Sequence, residues 1–337
     1  MPLDKKLHNL PPFPNGWYVI ERSELLPAGK LITKRFAGQD VIVFRTESGK
    51  ACVMDAYCPH MGAHFGHGGC IVGESVKCPF HGFEFNTSGK CTKTGYGTEP
   101  PPKALAKTFP VQEVNGLILL YYHCDNEPPT WQIPEMDMTG WTDFRWVDYE
   151  LKSHPQETTE NSVDIGHFSE THGYRNVKVV KNPIFEENHL TINYGMERDN
   201  FMGKSGKPVQ IEFIGHVYGL GYSVVEAKTL NFGITTRHFV LPTPIEDGKI
   251  ILRIASSVKK VRKSSDVHAL ASVLPKSLLN YILSKVVFKG YKNDVRQDFK
   301  IWENKKYIMQ TPLAKGDGPI VMYRKWAQQF YSEEIGI

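Results

Sequence analysis

The sequence predicts an α+β protein in which a small antiparallel β domain precedes a larger antiparallel sheet that carries long helices near the C-terminus. Three patterns predict it. From Trp17 to Tyr122 short stretches rich in Val, Ile, Phe and Tyr alternate with Gly, Asn, Ser and Pro, the rhythm of brief strands and tight turns. Later come longer runs with period-two alternation, Val209, Ile211, Phe213 and Val217, then Ile250, Leu252, Ile254 and Val258, as expected of strands with one face on a core. Between Pro275 and Lys289 the spacing changes to Leu278, Leu279, Ile282, Leu283, Val286 and Val287, one face of an amphipathic helix. A second helix is expected over Tyr291 to Lys306.

The early runs include Val41–Phe44 and Leu117–Leu120. The segment 126–134 carries three prolines, which lack the backbone donor that ladders and helices need, and so reads as a linker. It divides a domain over 1–125 from one over 135–337, a sensible partition of 337 residues.

Lys and Arg total 40 against 36 for Asp and Glu, a net charge of +4. The basic residues are scattered and form no stripe, so nucleic acid is not an expected partner. The longest apolar run, Leu117 to Tyr122, is too short to span a bilayer, and the N-terminus has no signal-peptide pattern. A cytoplasmic location is expected. Six cysteines, at 52, 58, 70, 78, 91 and 124, would stay reduced there, which favours metal ligation for some of them.

Cys58-Pro-His60 is followed, after seventeen residues, by Cys78-Pro-Phe-His81. A Rieske [2Fe–2S] centre needs two thiolates on one iron and two imidazoles on the other, and two loops that each supply one of each meet that need. Zinc also accepts Cys2His2, but zinc fingers usually group the cysteines together and the histidines together, whereas each loop here is mixed. Glycines 62, 66, 68, 69 and 82 suit tight loops that aim N–H groups at the sulfurs. Respiratory clusters add a disulfide between the loops, and here the corresponding positions are Ala63 and Phe80. His64 and His67 read as loop residues, and Cys52, Cys70, Cys91 and Cys124 as small apolar fillers.

A second candidate centre lies in Asp164-Ile-Gly-His167-Phe-Ser-Glu-Thr-His172. Five residues is a poor spacing for one helical face, so a helix end between Gly166 and Gly173 is needed for the rings to converge. Two histidines and one carboxylate on one side of Fe(II) leave positions open for dioxygen and substrate. Asp298 is the candidate carboxylate and Asp294, one turn earlier, its competitor; spacing does not choose between them. Solvated helix-end histidines would show the same pattern, but a one-electron cluster upstream calls for a terminal acceptor.

Together with Gly16–Tyr18, Gln297-Asp298-x3-Trp302-Glu303 and Gly316–Pro319, these motifs resemble the oxygenase component of Rieske-type ring-hydroxylating systems. Within that group the chain is most similar to 3-ketosteroid 9α-hydroxylase oxygenases and cholesterol 7-desaturases. The resemblance implies a Rieske domain over 1–125 and a helix-grip (START-like) catalytic domain over 135–337, with Asp298 completing the triad. It also implies a head-to-tail homotrimer, in which Asp164 joins a cluster histidine, His81, to an iron-ligand histidine across the subunit boundary. The tryptophan that usually follows His81-Gly82 is Phe83 here.

The implied activity is that of a monooxygenase or dioxygenase that draws NAD(P)H electrons through a reductase or ferredoxin and uses O2. It would hydroxylate, demethylate or desaturate an apolar molecule such as a steroid. Phe213, Tyr218, Tyr222, Phe239 and the helix after Pro275 could line such a site, or could be plain core. The rival readings are an electron carrier or redox sensor without turnover, and a lipid-binding helix-grip protein.

Overall fold

The computed structural model describes residues 10–199, 208–261 and 275–333; the N-terminal nine residues used above to judge export lie outside them. The chain divides into two compact units. The smaller holds residues 13–136 and the hairpin tip 243–247, and the larger holds 137–242 and the residues from 248 onward.

The small unit begins with β1 (Gly16–Arg22), β2 (Leu31–Phe36), β3 (Gln39–Arg45) and β4 (Ala51–Asp55). Four short strands follow, β5 (Cys70–Val72), β6 (Ser75–Lys77), β7 (Glu84–Asn86) and β8 (Cys91–Lys93). It ends with β9 (Thr108–Phe109), β10 (Val111–Val114) and β11 (Leu117–Tyr122). They pair as three antiparallel sheets, ordered β1-β11-β10, β2-β3-β4-β9 and β5-β6-β7-β8.

The unbroken apolar run in β3 has a simple cause. Val41 and Val43 face a core with Tyr18, Phe36 and Leu120, while Ile42 and Phe44 face a second core with Met54, Phe65, Phe83 and Phe85. A strand buried on both faces needs no polar alternation. The second core also contains Cys52, Cys58, Cys78 and Cys91. Cys70 and Cys124 are exposed, so the expectation that all four non-motif cysteines fill apolar space holds for Cys52 and Cys91 only; the other two sit on a short edge strand and in a turn.

Residues 126–134 lie along the small unit. Trp17 Nε1 donates to the Trp131 carbonyl at 2.8 Å, and the Gln112 amide makes two bonds with the backbone of Ile133, at 2.7 and 2.9 Å. A proline-rich strip without its own ladder is thus satisfied by side chains of its neighbours.

The large unit contains β12 (Arg145–Leu151), α1 (Pro155–Glu160), α2 (Gly166–Glu170), β13 (Arg175–Glu186), β14 (His189–Arg198), β15 (Val209–Tyr218), β16 (Tyr222–Thr229), β17 (Thr235–Glu246) and β18 (Lys249–Val258). Helices α3 (Lys276–Trp302) and α4 (Ile320–Ala327) follow. The strands form one seven-stranded antiparallel sheet in the order β12-β18-β17-β16-β15-β14-β13. Helix α3 packs Val295 and Trp302 against Leu151, Ile250, Leu252 and Ile254.

One expectation is corrected here. The two helices expected on either side of residue 290 are a single helix of 27 residues. A lone helical glycine costs only about 1 kcal/mol against alanine, and the packing of Val295 and Trp302 outweighs it. The apolar stripe expected to pack on the sheet is only partly buried, since Leu278, Ile282 and Val286 are exposed. Helix α1 is wholly buried, and its Glu160 is held by a bidentate bond from Arg324 of α4, at 2.8 and 3.0 Å.

Candidate metal centres

The two motif loops of the small unit are built alike. In the first, Cys58 N–H donates to the Ala63 carbonyl and Gly62 N–H to the Cys58 carbonyl, both at 2.9 Å. In the second, Cys78 N–H donates to Phe83 at 2.8 Å and Gly82 N–H returns to Cys78 at 3.1 Å. Each loop closes on a glycine four residues past its cysteine, with φ of +74° at Gly62 and +68° at Gly82, backbone that a side chain would strain. The repeat places both cysteines at the buried base and both histidines nearer the tip.

The His60 and His81 rings lie 4.9 Å apart at 74°, and Phe83 stacks on His60 at 4.1 Å and 9°. Phenylalanine therefore supplies the packing at the position where tryptophan is usual. Burial, with Cys78 alongside, raises the pKa of the Cys58 thiol, so deprotonation here would accompany iron binding.

The arrangement is a cysteine pair and a histidine pair, not four donors around one point. Among the described residues, the sets whose donor atoms all lie within 4.8 Å of one another are His167–His172–Asp298 and three consecutive turn residues, His123, Cys124 and Asp125. A tetrahedral zinc would gather its ligands that closely. The quartet fits the divided ligation of a [2Fe–2S] cluster instead.

In the large unit His167 stands near the start of α2, and the helix ends at Glu170. That early end resolves the awkward spacing, because His172 returns toward His167 with ring centroids 5.1 Å apart. Asp298 comes from α3, its Oδ2 3.5 Å from His172 Nε2. Gly318 positions the segment from below: a Cβ there would lie 2.1 Å from the Val163 carbonyl. The adjacent Asp317 carbonyl accepts the Ile165 N–H at 3.1 Å. The Gly316–Pro319 motif is thus a support for the strip that carries His167.

Both rings are fixed through Nδ1. The Asp164 carbonyl lies 2.5 Å from His167 Nδ1, and the Gln297 side-chain oxygen lies 2.8 Å from His172 Nδ1. A carbonyl can only accept, so each Nδ1 carries a proton and Nε2 is the nitrogen left to bind a metal, the arrangement a metal ligand needs. The Asp164 carboxylate caps the His167 backbone N–H at 3.2 Å and stands 3.9 Å from the ring nitrogen; the backbone carbonyl takes the ring proton. Burial lowers the pKa of His167. For His172 burial acts in the same direction, but Asp298 and Gln297 overcome it and the pKa is raised.

Asp294 is otherwise engaged. Arg198 grips it with two bonds, at 2.7 and 2.9 Å, and the Tyr174 hydroxyl donates to it at 3.2 Å. Of the two carboxylates that spacing left open, Asp298 is the one that faces the histidines.

The three residues open onto a cavity of about 400 Å³, walled by β14 to β17 and α3. Of the aromatic residues expected to line such a site, Phe213 does so, while Tyr222 and Phe239 are buried core. Arg198 and the polar wall residues Ser223 and His238 were not foreseen, and Gln297 appeared only as a member of a motif, with no role. Gln297 adjoins Asp298 in sequence, and that adjacency was the one available signal.

Residues 16–110 match the Rieske [2Fe–2S] domain, and residues 120–331 match the 3-ketosteroid 9α-hydroxylase C-terminal domain. The chain belongs to the Rieske oxygenases that carry this C-terminal domain. It is 32% identical to a cholesterol 7-desaturase of Xenopus laevis over 96% of its own length and 73% of the relative's. To a 3-ketosteroid-9-alpha-monooxygenase oxygenase component of Rhodococcus rhodochrous it is 28% identical, covering 95% and 84%. Among solved structures it resembles NdmA of Pseudomonas putida CBB5 with caffeine, at a TM-score of 0.70 and 17% identity, covering 92% and 89%. Dicamba monooxygenase bound to dicamba gives 0.64 and 16%, covering 94% and 96%. This Rieske oxygenase is an oxidoreductase, and the electron-carrier alternative is set aside. Among the described residues, no helix is long and apolar enough to cross a membrane.

Proposed function

We propose that the protein is a terminal oxygenase that uses O2, with NAD(P)H electrons delivered by a reductase or ferredoxin, to hydroxylate, demethylate or desaturate a steroid-like substrate. Cys58, His60, Cys78 and His81 would hold the [2Fe–2S] cluster, and His167, His172 and Asp298 a mononuclear Fe(II). When bound, these groups supply electron storage and oxygen activation. The activities of the relatives, a desaturase and a monooxygenase, favour single C–H oxidation over dioxygenation.

The observation that carries this reading is the convergence of His167, His172 and Asp298 on the wall of a largely apolar cavity. The chain's own part is orientation. Gln297 and the Asp164 carbonyl hold the two rings by their protonated Nδ1, and Phe168 packs against both His167 and Phe213, screening one side of the site from water. Phe213, Ile192, Ile211 and Val225 offer apolar contact to a rigid hydrocarbon.

By its resemblance the assembly is a homotrimer, with Asp164, half-exposed, available to a neighbour's His81. None of the six cysteines is in a disulfide, which suits the cytoplasm. His167→Ala, assayed with reductase, NADH and cholesterol or a 3-ketosteroid, should abolish substrate-dependent O2 uptake while leaving the cluster's visible absorption intact. Undiminished coupled uptake would overturn the assignment.

A further inference from the structure

The cavity wall contains two polar side-chain atoms with no hydrogen-bond partner among the described residues. His238 of β17 and Ser223 of β16 both line the cavity, both are more than nine-tenths buried, and among the described residues His238 Nδ1 and Ser223 Oγ make no hydrogen bond. Unpaired buried polar atoms are rare because each forfeits the solvation it had in water, so each calls for an explanation. The strand register puts Val225 opposite His238 and Val240 opposite Ser223. The two polar residues are therefore diagonal neighbours on one face, with Cβ atoms roughly 7 Å apart, near enough to serve one small group.

The chemistry of that group follows from the imidazole. Thr236 Oγ1 lies 2.7 Å from His238 Nε2 and 3.3 Å from the Ala227 carbonyl, and its one proton cannot serve both. The assignment that makes both bonds has Thr236 donate to the carbonyl and accept from Nε2–H, which leaves Nδ1 as a lone pair. Burial lowers the pKa of His238 to about 3, so the ring stays neutral at working pH and offers no charge to a carboxylate. Ser223 can donate or accept. A lone pair beside a hydroxyl is satisfied by a group that both donates and accepts, which a hydroxyl does and a ketone does not.

We infer that His238 and Ser223 form a subsite for the hydroxyl of an otherwise apolar, polycyclic alcohol. This rests on the oxygenase reading above and narrows its substrate class. His238 packs on Tyr291 with ring centroids 4.2 Å apart, and Tyr291 precedes Asp298 by seven residues of α3, roughly 10 Å along a helix. The hydroxyl is thus an anchor remote from the triad, and the carbon oxidised is a different one.

The test is equilibrium dialysis of the iron-loaded enzyme against two matched alcohol and ketone pairs: 5α-cholestan-3β-ol with 5α-cholestan-3-one, and 2-adamantanol with 2-adamantanone. The subsite predicts that the alcohol binds about tenfold more tightly than its ketone, the effect of one satisfied hydrogen bond. His238→Phe should abolish that preference by weakening the alcohol more than the ketone. Ser223→Ala should reduce it severalfold. Preference within the adamantane pair alone would uphold the subsite and remove the steroid reading. Equal binding of alcohol and ketone, no binding of either pair, or a preference that survives His238→Phe would overturn the subsite.

Discussion

The side-chain oxygen of Gln297 lies 2.8 Å from Nδ1 of His172, one residue before the carboxylate that faces the same ring. This bond selects the tautomer and fixes the ring plane, so its loss should loosen the site without removing any donor. Gln297→Leu is expected to weaken iron retention about 10- to 100-fold, the usual effect of deleting such a support. Iron content after dialysis against graded chelator measures it, and Gln297→Glu, which keeps an acceptor, should restore most of it.

Asp298 and Asp294 sit one turn apart on α3 and should behave differently. Asp298→Asn removes the carboxylate beside His172 Nε2 and is expected to lose one iron per chain. Asp294→Asn should keep that iron and instead weaken the bond to Arg198. Because Arg198 is partly exposed, the stability cost should be about 1 kcal/mol. Metal analysis and thermal melting of the two variants separate the roles.

Gly290 lies in the middle of α3 and lines the cavity, and a Cβ added there meets nothing within 4 Å. Gly290→Ala should raise stability by about 0.5–1 kcal/mol, since alanine loses less freedom in a helix. Gly290→Phe should project a ring into the cavity and lower affinity for a bulky ligand. Melting temperature and ligand binding check the two halves independently.

Glu113 accepts a bidentate bond from Arg45, at 2.8 and 2.7 Å, and this bond holds its pKa below the usual value. A depressed carboxyl stabilises the fold at pH above its unfolded pKa, about 4.3, and that contribution is lost as pH falls through the lower folded value. Glu113→Gln should therefore melt below the wild type at neutral pH, by no more than about 1 kcal/mol given solvent screening. The gap should close below about pH 4 in a melting series.

The legible parts of this fold were those in which local pattern and tertiary environment agree. Period-two alternation marked β15, whose faces differ in burial, and β18, where Ile250, Leu252 and Ile254 share one core-facing side. The mixed Cys-His loops declared their chemistry because every donor lies within four residues of its partner. The apolar spacing between Pro275 and Lys289 and the stretch from Tyr291 suggest two helices, yet tertiary packing of Val295 and Trp302 carries α3 through Gly290 as one. His238 gave no signal: a lone histidine in an alternating strand looks like any other until the strands are paired and its Nδ1 is found without a partner. Asp298 required the helix to be placed against α2 before it could be told from Asp294.

The central claim is that two separate metal centres are built from the two units of one chain. Iron and acid-labile sulfide per chain, measured on wild type and on the His167→Ala/His172→Ala double variant after anaerobic iron loading, test it most directly. The account predicts about three irons and two sulfides in the wild type, and about two of each with unchanged cluster absorption in the variant. Equal iron content in the two proteins, or loss of sulfide together with iron in the variant, would contradict it.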